Sequence, residues 1–136
     1  VRVFARTGLS PAGVDFYDAA VVDFSNGATM ALSGSATVPK IRGYQMDIRL
    51  FGTEGMLLFD IERARVEAIR HDGKTHIAEL PKDAGDYESV APITRFVDIC
   101  RGAPTVNPAD GVVGMRAVAL LDAMYRSAKS GKMEDV

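Results

Sequence analysis

The stretch that decides the fold reads Val14-Asp15-Phe16-Tyr17-Asp18-Ala19-Ala20-Val21-Val22-Asp23-Phe24, then Ser25-Asn26-Gly27, then Ala28-Thr29-Met30-Ala31-Leu32-Ser33-Gly34-Ser35-Ala36-Thr37-Val38. Asn-Gly between two apolar-rich runs is the strongest short-range hairpin signal, because a two-residue type I′ turn needs positive φ at both central residues. With Asn26 and Gly27 as the loop, Ser25 faces Ala28, Phe24 faces Thr29, and the register follows down both strands. One face then carries Tyr17, Ala19, Val21, Met30, Leu32 and Ala36. The other carries Ala20, Val22, Phe24, Thr29, Ala31, Ser33 and Ser35, with Asp18 its only charge.

Neither face is patterned for water, since a half-exposed antiparallel strand alternates apolar with charged or long polar side chains. The first face is expected to take helices. The second is flat and poor in charge, and is expected to be an interface against another subunit.

Size and composition narrow the possibilities. The 136 residues suit one domain spanning 1–136, with 47% hydrophobic and 25% charged residues and a net charge of −2. That balance argues against disorder and against a nucleic-acid footprint, which needs a basic excess. The longest apolar runs fall short of a membrane span, and no secretory leader opens the sequence. A cytoplasmic location is expected. Cys100 is the only cysteine, so no internal disulfide can form. Its place in a helical pattern makes it a small packing residue. The sequence opens without Met, directly on a strand pattern, and reads as a piece of a longer protein.

Beyond the hairpin, residues 1–6 alternate as a first strand. Tyr44, Met46, Ile48 and Leu50 alternate with Gln45, Asp47, Arg49 and Phe51, and residues 56–60 form a short strand after the turn Gly52-Thr53-Glu54-Gly55. Residues 62–70 and 75–80 flank Asp72-Gly73, a second type I′ signal, with enough charge to mark a sheet margin. After Pro81 the period changes. Val90, Ile93, Phe96, Val97 and Cys100 share one helical stripe, with Pro92 confined to the first turn and Gly102 ending the helix. Asn107 is the expected cap of a second helix, with Pro108 at its first position. Met115, Val118, Leu121 and Tyr125, joined by Ala117, Met124 and Ala128, form its apolar stripe up to Gly131. The expected fold is α+β: a mostly antiparallel open sheet, two C-terminal helices packed on one face, and the other face used for oligomerisation.

Chemical signatures are sparse. No G-x-G-x-x-G follows a strand and no phosphate-loop lysine is present, so no cofactor-binding residue is assigned. Gly52-Thr53-Glu54-Gly55 precedes a strand, not a helix, and is read as a turn. His71 and His76 flank a hairpin tip without a closed ligand set, so no metal site is assigned. Ser33 and Ser35 have no histidine nearby in sequence, and no catalytic residue is assigned. Lys40, Arg42 and Tyr44 are the candidate substrate-binding residues: two cations and a phenol around Gly43 at a strand end, against the alternative of a solvated loop.

Four segments occur in a familiar order. They are Phe24-Ser25-Asn26-Gly27-Ala28 with the strand before it, Leu50-Phe51-Gly52-Thr53-Glu54-Gly55-Met56-Leu57, the run Phe96-Val97-Asp98-Ile99-Cys100-Arg101-Gly102-Ala103-Pro104 followed by Asn107-Pro108-Ala109-Asp110-Gly111, and the tail Ala123-Met124-Tyr125-Arg126-Ser127-Ala128-Lys129-Ser130-Gly131. Together they resemble the C-terminal domain of the glucose–fructose oxidoreductase/inositol dehydrogenase/rhizopine-catabolism (Gfo/Idh/MocA) family. The resemblance implies a parent NAD(P)-dependent enzyme acting on a sugar, inositol or related polyol, with its Rossmann domain absent from this chain. It also implies a dimer or tetramer assembled through the open sheet face, with NAD or NADP bound elsewhere in the parent. Arg42-Gly43-Tyr44-Gln45 is similar to the family's Gly-Tyr-Asp stretch, where the tyrosine lies near substrate; Gln45 replaces the aspartate. The alternative function is a non-enzymatic β-sheet dimerisation module.

Overall fold

A computed structural model describes residues 1–37, 46–60, 64–81 and 90–136. The chain divides into two compact units, Val1–Pro39 with Val106–Val136, and Lys40–Thr105. In the first unit, strands β1 (Arg2–Leu9), β2 (Asp15–Asp23) and β3 (Thr29–Ser35) form an antiparallel sheet. The second holds β4 (Asp47–Gly52), β5 (Gly55–Asp60), β6 (Arg65–Arg70), β7 (Thr75–Ile77) and helix α1 (Val90–Cys100). The chain then returns to the first unit with helix α2 (Gly111–Ser130) and strand β8 (Glu134–Asp135). The class is α+β, as expected. Its strands make two four-stranded sheets instead of one, in the orders β3-β2-β1-β8 and β4-β5-β6-β7. The expected sheet margin at the second hairpin is the edge strand β7.

Both hairpin signals fold, but with one more loop residue than a type I′ turn. Phe24 N–H donates to Ala28 O at 2.9 Å, Gly27 N–H donates to Phe24 O at 3.0 Å, and Gly27 alone takes positive φ, at 86°. This is the three-residue loop of a type I turn followed by a left-handed glycine. Asn26 fits it by accepting the Ala28 amide on its Oδ1 at 3.1 Å. The loop at Asp72 repeats every part: Arg70 N–H to Lys74 O at 2.8 Å, Gly73 N–H to Arg70 O at 3.1 Å, φ 85° at Gly73, and the Lys74 amide on Asp72 Oδ1 at 3.1 Å.

That extra residue corrects the faces. Asp23 pairs with Thr29, Val22 with Met30, Val21 with Ala31 and Ala20 with Leu32. A one-residue slip turns one strand over relative to the other. Ala20 and Val22 therefore leave the interface set: they are 5% and 0% exposed and form the core with Val3, Ala5, Ala123 and Met124, flanked by Met30 and Leu120. Tyr17, Ala19 and Val21, expected beneath helices, lie on the opposite, exposed face.

Helix α2 is rotated from its expected seat. Met115, Val118, Leu121 and Tyr125 are exposed; Met124 is buried as expected, and its buried companions are Ala123 and Ser127. Small side chains on the inward face bring the helix close to β1, where Val3 and Ala5 are fully buried. Ser127 Oγ accepts the Ala5 amide at 2.9 Å and donates to Lys132 O at 2.5 Å, so one hydroxyl satisfies a strand donor and a tail carbonyl. The cap is Asp110, not Asn107: Asp110 Oδ1 accepts the Val113 amide at 2.9 Å, and Asn107 instead bends the approach by accepting from Ala109 N–H at 3.1 Å. Gly131 ends the helix in the left-handed region at φ 69°. Strand β8, absent from the sequence reading, pairs with Arg2 and Val3 and is held by Arg126, which donates to Glu134 Oε2 at 3.0 Å and Asp135 O at 2.7 Å. Helix α1 keeps its expected limits, with Pro92 in its first turn and Gly102 at φ 77° beyond its end; none of its residues is buried.

Replacing Ser127 with Ala strands a buried amide and a carbonyl together. The expected loss is about 1–3 kcal/mol, read as a lower urea midpoint at unchanged slope. Val22→Lys puts an unpaired charge into the core, and its circular dichroism should be that of an unfolded chain.

Candidate functional site

The three candidate substrate-binding residues, Lys40, Arg42 and Tyr44, lie outside the described residues. Strand β3 ends just before them in a hydroxyl turn. Ser35 Oγ and Thr37 Oγ1 are 2.6 Å apart, and Thr37 N–H donates to Ser35 Oγ at 3.2 Å.

The interface candidates separate into groups. Thr29, Ala31, Ser33 and Ser35 are exposed on the face of the first sheet turned away from α2, Ala20 and Val22 are in the core, and Phe24 is in the loop at 38% exposure. The register arranges the open face in rows across β1, β2 and β3: Arg2, Asp23, Thr29; Phe4, Val21, Ala31; Arg6, Ala19, Ser33; Gly8, Tyr17, Ser35. Arg2 pairs with Asp23 at 3.6 Å at one end. Arg6 lies over the Phe4 ring, its Cζ 5.4 Å from the centroid. Apart from Arg6, the middle rows are small or apolar, and Val21 is 41% exposed there. The Tyr17 ring lies over Gly8 in the space a side chain at that position would fill. An exposed face therefore exists, but with a different β2 membership and with Arg2, Asp23 and Arg6 on it in place of Asp18 as its only charge.

In the second sheet, Ile48, Leu50, Leu57 and Phe59 share one face and are 38–58% exposed, while Leu58 and Asp60 on the other face are buried. A shallow groove at the β4–β5 turn is lined by Leu50, Phe51, Met56, Ile69 and Arg70, among others. Arg70 there donates to Glu54 at 3.2 Å and Asp72 at 3.3 Å, so carboxylates already neutralise its charge. His71 lies across from the Gly52 carbonyl, its Nε2 3.3 Å away. Among the described residues, no three His, Cys, Asp or Glu side chains converge as a metal ligand set.

One polar cluster has no signal in the sequence. The Tyr125 hydroxyl on α2 donates to Asp15 Oδ2 at the start of β2. This bond to Asp15 and that carboxylate's charge raise the Tyr125 pKa above the ordinary tyrosine value, with burial and Asp18 adding to the shift. Nearby in sequence, Asp18 Oδ1 is buried with no hydrogen-bond partner among the described residues, and a Cβ at Gly34 would stand 2.8 Å from it. On β6, across from Asp60 and Leu58, Arg65 holds Glu67 with two bonds of 2.6 and 2.7 Å, and these keep the Glu67 carboxyl below its ordinary range. These pairs fix side chains and neutralise charge. None joins a nucleophile to a base.

Because the Tyr125 pKa is raised, its bond to Asp15 is intact below the ordinary tyrosine range and is lost only as pH rises through the raised value. In a phenolate absorbance titration, Tyr125 should ionise above the ordinary tyrosine range. Asp15→Asn should lower it toward that range.

No family model matches the chain, and no curated protein matches it in sequence. Solved structures match in fold. Levoglucosan dehydrogenase in complex with NADH and levoglucosan is 19% identical with a TM-score of 0.77, over 99% of this chain and 44% of that one. UDP-N-acetylglucosamine 3-dehydrogenase GnnA from Acidithiobacillus ferrooxidans is 21% identical at 0.74, over 96% and 40%. The WlbA dehydrogenase from Bordetella pertussis, in complex with NADH and UDP-GlcNAcA, is 20% identical at 0.71, over 99% and 40%. The chain thus has the fold of part of these dehydrogenases and spans less than half of their length.

Proposed function

We propose that this chain is the substrate-side, subunit-contact domain of a nicotinamide-dependent oxidoreductase acting on a sugar, inositol or related polyol. The observation that carries the reading is the coverage: nearly the whole chain superposes on less than half of dehydrogenases whose structures contain NADH with levoglucosan, L-sorbose or a nucleotide sugar. The absence of a dinucleotide fingerprint from the sequence supports assigning NAD or NADP to the remainder of the parent protein. Hydride would pass there between the nicotinamide and a substrate carbon, while an acid–base residue outside this chain moves the hydroxyl proton.

This chain's share is recognition and assembly. Lys40 and Arg42 offer donors to substrate oxygens, and Tyr44 offers a ring and a hydroxyl. The subunit contact is the open face of the first sheet, now composed of Thr29, Ala31, Ser33 and Ser35 with Phe4, Ala19 and Val21. A specific contact needs on the order of 800 Å² from each partner. The cytoplasm is the assigned compartment, in keeping with a single cysteine that is unpaired.

In the full-length enzyme, Tyr44→Phe should raise the KM for the polyol up to about tenfold, the worth of one neutral hydrogen bond. Unchanged KM and kcat would remove Tyr44 from the pocket. The 136-residue chain alone should give no thermal shift with NAD⁺ or NADP⁺, and a clear shift would overturn the division of labour. Val21→Lys should lower the assembly's mass in light scattering while keeping the native circular dichroism; an unaltered mass would count against this face. An upstream coding sequence lacking G-x-G-x-x-G would favour the assembly module without enzymatic activity.

A further inference from the structure

We draw no further inference here: the strongest candidate, the exposed apolar face of the second sheet carrying Ile48, Leu50, Leu57 and Phe59, carries nothing because no observation in the structure shows what covers it.

Discussion

The first unit depends on the close seat of α2 against β1. Ala123 and Ser127 are small enough to bring the helix backbone near the strand, and the Ser127 hydroxyl bonds the Ala5 amide across that contact. A larger inward residue would push the helix off the sheet and leave the amide unpaired in an apolar setting, which costs more than the bond itself contributes. Because Ser127 also bonds Lys132 O, the same hydroxyl fixes where the chain turns back to lay β8 beside β1. The seat of the helix and the turn toward β8 thus meet at one contact.

Strands β1 to β7, both hairpins and both helices are legible in the sequence, because period two and period three and a half leave different apolar patterns; the division of the strands between two sheets is not. What escapes is what depends on a single residue. Asn-Gly is compatible with a two-residue or a three-residue loop, and only the bonds at Phe24 and Ala28 select the longer one. The slip leaves the hairpin in place yet moves Val22 from an expected surface to full burial. The rotation of α2 has a similar cause. Hydrophobic size points to Met115, Val118, Leu121 and Tyr125, whereas close packing on a sheet favours Ala123 and Ser127.

Less of the functional surface can be read. An open face was legible in kind, since β2 and β3 hold too few charges to solvate two sides, but its membership turned on the hairpin loop, and the charges of Arg2 and Arg6 come to it from β1. Tyr125 and Asp15 lie 110 residues apart, and no local pattern joins positions so distant. Strand β8 spans two acidic residues, and local propensity disfavours a strand there. It exists because Arg126 and the β1 edge hold it.

Gly8 and Tyr17 face each other across β1 and β2, and the ring occupies the volume that a methyl group on Gly8 would take. Alanine at position 8 would force the aromatic side chain to swing away from the strands. Where this ring rests is thus governed by a residue that has no side chain of its own to offer a visitor.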